Sequence, residues 1–417
     1  MTGEGSLSGS RAFLTVFLPF GFGYLLSYLF RTINGTLSDA LVREFHLDAA
    51  QLGLLTSLYF LTFAALQIPV GLWVDRAGPR LVSTGLMLLT ALGAAVFAVA
   101  SSMPMLELGR ALIGLGCSGA FMMGLKAVRI WTPKHRLTLA NGLFVVFGGL
   151  GATLSTTPID AALNAVNWRA IFWILAGVAL VVAYVTFKVS PDAERSASES
   201  LPASLAELQS IYSDFRFWTL APLSCMVIGT AFAVHGLWAG KIVADVHHRD
   251  PAQVLFIMGL SLMIGAASLG FVGDFLRRNG ASLASIFSAA SLIFILLQLT
   301  VVCRLHIPPF LLWGCFALFG AVTTLSYSML GEIFAERVSG RANGALNLLH
   351  VTAAFAIQAL IGTIVNLWPR DASGHYPASA YQWALSLPIV MQVVCLAWFL
   401  IGIHWECSES TEVSAAA

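Results

Sequence analysis

Eleven stretches of 18 or more residues in this chain contain no Asp, Glu, Lys or Arg: 12–30, 49–74, 81–106, 137–159, 170–187, 217–240, 251–273, 279–303, 305–331, 342–369 and 372–405. Crossing the hydrocarbon of a bilayer takes about 20 apolar residues. Backbone groups there have no water to pair with, so each stretch must satisfy its own hydrogen bonds as a helix. A twelfth stretch, 111–125, is shorter and lies between Arg110 and Lys126. Only 10% of the residues are charged, against about 25% in soluble domains. That scarcity excludes a soluble enzyme and a disordered chain. A net charge of +1 offers no broad basic field, so no nucleic-acid partner is expected. The expectation is an all-α integral membrane protein of twelve transmembrane helices whose surroundings are a lipid bilayer.

Met1 to Arg11 has neither a basic cluster nor an apolar core, so it does not read as a cleaved signal peptide. An even helix count puts both termini on one side. Placing them inside assigns thirteen loop Lys and Arg residues to the cytoplasm. The other side receives Arg43, Arg169, Lys241, Arg249, Arg304 and Arg370, with Arg31, Arg110 and Lys126 left in the membrane. Basic residues concentrate on the cytoplasmic side, so both termini are expected there, in a bacterial inner (plasma) membrane. The six cysteines form no CxxC pair, and five lie within helices, which predicts free thiols. His247-His248 and the spacing His404-x-x-Cys407 read as incidental, so neither a metal nor a cofactor is expected.

The longest polar segment, about 188–214, contains Pro191 and Pro202 and separates two sets of six helices. The expected units are a bundle over 1–189, a cytoplasmic linker over 190–214, a second bundle over 215–404 and a cytoplasmic tail over 405–417. Two landmarks recur across the linker: Gly71-x-x-x-Asp75 returns as Gly270-x-x-x-Asp274, and Asn141-Gly142 returns as Asn343-Gly344. Duplication of a six-helix unit accounts for both. The run Gly71-Leu-Trp-Val-Asp75-Arg76-Ala-Gly78-Pro-Arg80 resembles the loop signature of the major facilitator superfamily. Gly270 to Arg278 is similar to its echo in the second half, Arg110-x-x-x-Gly114-x-Gly116 to a helix-4 motif, and Asn167-Trp168-Arg169 to the usual start of helix 6. The resemblance implies two pseudo-symmetric six-helix bundles. It also implies a gating role for Gly71, Asp75, Arg76, Gly78, Arg80, Gly270, Asp274 and Arg278. In physical terms, Gly71 permits close helix packing there.

The first helix carries a polar stripe. At about 100° per residue, Tyr24, Ser27, Tyr28, Asn34, Gly35 and Ser38 fall within about 60° of Arg31. A lipid-facing Arg costs about 2.5–3.5 kcal/mol on the insertion scale, so this face lines a cavity or meets a partner. Two readings are open for Arg31: a packing contact to a carbonyl or to Asp39, or a charge facing the translocation path, and the second is favoured. Arg110 is likewise either neutralised by Glu107 on its own face or directed at substrate. The candidate substrate-binding set is Arg31, Asn34, Tyr28, Ser27, Tyr59, Arg110, His235, Trp238, Tyr327, Asn347 and His350. With no carboxylate identified in mid-membrane, His235, His350 and Asp39 are the candidates for proton coupling, His because it titrates near neutrality.

Tyr28-x-x-Arg31-x-x-Asn34 with Arg110 resembles the anion/cation symporter branch of the superfamily, whose arginines read carboxylates. A guanidinium offers a fixed donor fork to such groups. Phe30 and Cys117 stand where many relatives carry acids. The function expected is secondary or facilitative transport of a small organic anion, by a protein that works as a monomer. The alternative is a proton-coupled exporter of amphipathic drugs or siderophores. No HExxH, Gly-x-Ser-x-Gly or paired mid-membrane carboxylates suggest an enzyme.

Overall fold

The structure is a computed structural model, and it describes residues 12–132, 137–192 and 201–416. We number the spanning helices α1 (Phe13–Phe45), α2 (Ala49–Ala65 and Gln67–Val74, bent by 42°), α3 (Arg76–Ala98), α4 (Met103–Trp131), α5 (Leu143–Leu163) and α6 (Trp168–Val189). The second half contains α7 (Phe215–His247), α8 (Ala252–Arg278), α9 (Leu283–Val302), α10 (Pro309–Ile333), α11 (Val338–Val365) and α12 (Ala378–His404). The bent pair counts as one span, which gives twelve. A short helix, Leu201–Ser213, precedes α7.

Local chemistry sets several boundaries. Asp48 caps α2 with a reciprocal box: its carboxylate accepts from the Gln51 N–H while the Gln51 side chain accepts from the Asp48 N–H. Asn167 and Ser282 cap α6 and α9 in the same N-terminal sense. In the first turn of α3 the chain kinks at Gly78 (φ 79°), a left-handed conformation that favours glycine, immediately before Pro79. A break at Ser155-Thr156 before Pro158 leaves the Ser155 carbonyl free, and Thr36 of α1 donates to it at 2.8 Å.

The halves pack as two six-helix bundles that meet through α1 with α7, α2 with α11, and α5 with α8. All three crossings rest on glycine. A Cβ on Gly35 would lie 3.2 Å from the Gly236 carbonyl, and one on Gly240 would lie 3.1 Å from the Gly35 carbonyl. Gly236-x-x-x-Gly240 on α7 is thus a small-xxx-small face that admits the α1 backbone. A Cβ on Gly53 would sit 3.2 Å from the Gly362 Cα, and one on Gly362 2.5 Å from the Ala49 carbonyl. A Cβ on Gly259 of α8 would come 3.0 Å from the Thr153 Cα of α5.

These contacts close the face opposite the one that carries the first and last helix ends. Toward the terminal face three glycines are uncrowded: a Cβ on Gly71, Gly340 or Gly344 would meet nothing within 4 Å. The close packing expected at Gly71 is therefore not made in this conformation. Each end of the interbundle segment is tied to its own half. Arg80 pairs with Asp192 at 2.9 Å, whereas Arg341 pairs with Glu207, and the Tyr212 hydroxyl donates to the Ala345 carbonyl at 3.2 Å.

One charge assignment is corrected. Lys241, read from the sequence as a loop residue, lies inside α7 and is 8% exposed. Its Nζ is 3.2 Å from Asp39 of α1 and 3.2 Å from Asp245, one turn further along α7. Asp245 is itself buried and accepts from the Tyr381 hydroxyl at 2.5 Å and from the Tyr376 N–H at 3.3 Å. The far face is therefore latched by an Asp–Lys–Asp bridge between bundles. Breaking a buried ion pair from one side costs about 3–5 kcal/mol because the other charge is stranded, whereas a partner exposed to water matters far less. Lys241→Met is expected to lower unfolding stability by about 3 kcal/mol and Asp39→Asn by under about 1 kcal/mol. Lys241→Met combined with Asp245→Asn should regain most of the loss, read as thermal unfolding midpoints in detergent. A double variant no more stable than the single would mean that stranded charge is not the cause.

Candidate functional site

Arg31 sits just below the α1–α7 crossing, on the side of the terminal face. Four aromatic side chains of its own bundle and one of the other surround its guanidinium: Tyr28 at 4.3 Å, Phe63 at 5.5 Å, Phe60 at 5.8 Å, Tyr59 at 5.9 Å and, from α7, Phe232 at 4.7 Å. The residue is 6% exposed, and its Nε has no hydrogen-bond partner. Among the described residues no carboxylate pairs with it; Asp39, the alternative partner, is committed to Lys241. The polar groups nearest the guanidinium are the phenols of Tyr59, Tyr28 and Tyr24.

The rest of the α1 stripe divides into two roles. Ser27 and Asn34 are buried against α2. The Tyr59 hydroxyl donates to the Ser27 carbonyl at 2.9 Å and lies 3.0 Å from the Ser27 hydroxyl, while the Asn34 amide donates to the Thr56 hydroxyl at 3.1 Å. These bonds fix the rotation of α1 and so hold the Arg31 side chain toward α7. Tyr24 stacks on Phe144 of α5 with centroids 5.2 Å apart and touches Phe121 of α4.

Arg110 is fully buried and donates from Nη1 to the Phe30 carbonyl at 2.7 Å, with its guanidinium 5.4 Å from the Tyr59 ring. It straps α4 to the helix that carries Arg31. Its hydrogen bond is to that carbonyl, not to Glu107. Trp238 is also interior: its indole N–H donates to the Gln358 carbonyl at 3.2 Å, and its ring packs over Gly53 and Gly362. It belongs to the far-face seal. His235 lies on a π-helical turn, Val234–Trp238, 7% exposed and with Nε2 unpartnered. Such turns are rare and gather at functional sites.

Tyr327, Asn347 and His350 form one connected network. The Tyr327 hydroxyl donates to Asn347 Oδ1 at 3.1 Å, so its contact with His350 Nδ1 at 3.3 Å must be a donation from the imidazole. That fixes the tautomer, and Nε2 then accepts from Ser224 at 2.8 Å. Asn347 continues the chain to Gln67 Oε1 at 3.4 Å, and Gln67 donates to the Ser118 carbonyl at 2.9 Å. Donors therefore point one way from α7 through α11 and α10 to α2 and α4, across both bundles.

The gating residues contribute less to this conformation. Arg76 and Arg278 are exposed, Arg80 holds Asp192, and the side chains of Asp75 and Asp274 and the surroundings of Gly270 lie outside the described residues. Sequence reasoning missed Phe232, Gln67, Gln358, Lys241 and Asp245. The i,i+4 spacing of Lys241 and Asp245 was the available signal for the last two; a lone Gln in an apolar helix was the signal for Gln67 and Gln358.

Two six-helix bundles enclosing a polar centre between them define a membrane transporter rather than an enzyme. The Major Facilitator Superfamily model matches residues 20–359, and the chain belongs to that family. It is 27% identical over 269 residues to the "Probable sulfoacetate transporter SauU" of Cupriavidus necator, a match that covers 60% of each chain. It is 22% identical over 370 residues to the "Probable L-galactonate transporter" of Escherichia coli, covering 84% of this chain and 79% of that one. Among solved structures, a bacterial homologue of the human lysosomal transporter Spinster, in an inward-facing and unoccupied conformation, superposes with a TM-score of 0.76. It is 17% identical and covers 95% of this chain and 97% of its own. That likeness establishes the fold.

Leaving a buried polar partner unmatched costs about 1–3 kcal/mol. Tyr327→Phe, which cuts the donor chain at its middle, is expected to reduce unfolding stability by that amount, and Asn347→Ala similarly. Because both act on one chain, the double variant should fall short of the sum of the two. Additive losses in thermal unfolding would show that the network does not act as a unit.

Proposed function

We propose that this transporter carries a small organic anion of the carboxylate type, moving it by alternate opening of the two faces. The observation that carries the reading is Arg31: a permanent cation, buried where the bundles meet, with no acid to answer it. Withdrawing an ion from water costs several kcal/mol even after relaxation. Each nearby ring returns about 0.5–2 kcal/mol, and only Tyr28 and Phe232 approach within 5 Å. The rings reduce the deficit without replacing a counter-charge. An anionic substrate would supply it, with Tyr28, Tyr327 and Asn347 lining the approach from the terminal face. The two relatives described above, named for sulfoacetate and L-galactonate, name carboxylates, while others name the inorganic anions nitrate and nitrite.

The excess of basic residues on the terminal-face loops supports placing that face, and both termini, in the cytoplasm. On that orientation the Lys241 bridge lies toward the outer face. Coupling to protons through His350 would require Nε2 to gain a proton and Ser224 to turn from donor to acceptor, a rotation that a hydroxyl can make. Asp39 would act differently, since neutralising it releases one arm of the latch.

A charge-assisted hydrogen bond contributes about 1.5–3 kcal/mol, or about tenfold to 150-fold in affinity. Purified protein titrated with carboxylates, amino acids, sugars and hydrophobic cations is expected to respond to carboxylates. Arg31→Ala should weaken that response by about tenfold or more, and Arg31→Lys by less. Binding confined to hydrophobic cations, or carboxylate affinity unchanged in folded Arg31→Ala protein, would defeat the proposal in favour of an exporter of amphipathic compounds.

A further inference from the structure

The α11–α12 connection, residues 366–377, is twelve residues long, whereas the other five connections on the far face run from three to six. Helix–helix connections in bundles commonly take about 2–8 residues. The extra length is ordered. Asp371 Oδ1 accepts from the Ser373 N–H at 2.8 Å and from the His375 N–H at 2.9 Å. The Asp371 N–H donates to the His375 carbonyl at 2.9 Å, and Gly374 takes the left-handed turn (φ 83°) that closes the knot.

The knot is fixed to its own bundle and reaches across to the other. Tyr376 is 6% exposed; its N–H donates to Asp245 of α7 at 3.3 Å and its hydroxyl to Asn366 at 3.0 Å. The same hydroxyl accepts from the Ala49 N–H of α2 at 3.0 Å. Arg370 Nη2 donates to the Leu47 carbonyl at 2.5 Å, with its guanidinium 5.0 Å from the Tyr376 ring. Both groups met on the first bundle are backbone groups of the α1–α2 turn. Ala49 is the first residue of α2, and the Asp48 carboxylate caps the Gln51 N–H, so the Ala49 N–H is one of the orphan donors of a helix start. A side chain of the second bundle thus completes a helix cap of the first. Beneath the loop, Arg370, Gly374 and Tyr376 close over Ala49, Trp238 and Lys241 and leave a cavity of about 10 Å³, room for no more than a single water.

We propose that the α11–α12 loop is a lid on the far end of the interbundle cleft, carried by the second bundle, held to the first by Arg370 and Tyr376, and lifted each time that face opens. It acts in parallel with the Asp39–Lys241 bridge and differs from it in chemistry. The bridge joins two side chains, one of them a carboxylate that a proton neutralises. The lid joins a guanidinium and a phenol to backbone groups, so its partners persist whatever side chains stand at 47 and 49. Asp245 belongs to both, since it holds Lys241 and the Tyr376 N–H, and the lid therefore moves with α7. The Leu47 carbonyl and the Ala49 N–H lie where water enters as the lid lifts, so closure is favoured without being trapped.

The test uses the full-length protein in liposomes, with spin labels at Val166→Cys and Leu305→Cys, exposed positions on far-face loops of the two halves, in a background with the native cysteines replaced. Double electron–electron resonance reads the ratio of separated to closed far faces. Losing a neutral hydrogen bond is worth about twofold to tenfold in such a ratio, and losing one from a charged group about tenfold or more. Tyr376→Phe is expected to raise the ratio by the first amount and Arg370→Met by the second. Tyr376→Phe keeps the ring and serves if Arg370→Met does not fold. Ala372→Ser, at an exposed position of the same loop that none of these bonds uses, should leave the ratio unchanged. Unchanged ratios in both lid variants, or a lower unfolding midpoint with no change in the distances, would overturn the lid. An equal rise in Ala372→Ser would overturn it too, because the loop would then respond to any change rather than through these two bonds.

Discussion

The crossing of α1 and α7 at glycine governs what surrounds it. Gly35 meets Gly236 and Gly240 with backbones close enough that a single Cβ on Gly35 or Gly240 would intrude. At that separation the side chains on either side of the crossing are forced into each other's reach. One turn toward the far face, Asp39 meets Lys241. One turn toward the terminal face, Arg31 meets Phe232. The two pairings differ in sign. The first is a charge answered by charge from the other bundle, and the second is a charge answered only by aromatic side chains, the Tyr59 hydroxyl among them. Bulk at Gly35 would separate both at once, which makes the crossing the common support of latch and site.

The twelve-helix fold was legible in the sequence because lipid imposes a severe rule: charge-free stretches of the right length have no alternative but to be helices. The repeat was legible because Gly71-x-x-x-Asp75 and Gly270-x-x-x-Asp274 stand at matching positions in each half. Arg31 was legible for the same reason as the fold, since an Arg in an apolar stretch needs an explanation. What the sequence hid was pairing. Lys241 ends a charge-free stretch and so read as a loop residue, although two acids hold it inside, the buried Asp245 and the half-exposed Asp39, separated from each other by about two hundred positions. Arg110 illustrates the reverse. Glu107 lies on its own helix face, yet its partner is the Phe30 carbonyl of α1 at 2.7 Å, an oxygen that no pattern within α4 announces. Helical periodicity reports which residues share a face and is silent on which helix that face meets.

The polar stripe of α1, expected to line a cavity or meet a partner, divides between the two. Ser27 and Asn34 use their hydrogen bonds on α2, so most of the stripe is the joint that orients Arg31 rather than a surface that a solute touches. This division follows from scarcity. In an apolar medium each polar group satisfied by a neighbouring helix is removed from recognition, and each one left unsatisfied is held at a standing free-energy cost. The Nε of Arg31, which stays unpaired, is therefore a small and informative remainder.

That remainder also bears on how the two faces communicate. The donor chain from Ser224 through His350, Tyr327 and Asn347 to Gln67 crosses between bundles on the terminal side of Arg31. The Lys241 bridge crosses on the far side. The first is a string of neutral hydrogen bonds, at its weakest at 3.4 Å where it passes from one bundle to the other. The second engages full charges, but its interbundle arm ends on the half-exposed Asp39, where water takes up part of the cost of separation. Rocking the bundles about the glycine crossing would stretch one while compressing the other, so the two links oppose each other through Arg31. A solute that neutralises Arg31 lowers the cost of enclosing that charge on either side, which is the condition under which either link can give way and re-form without the centre opening to both faces at once.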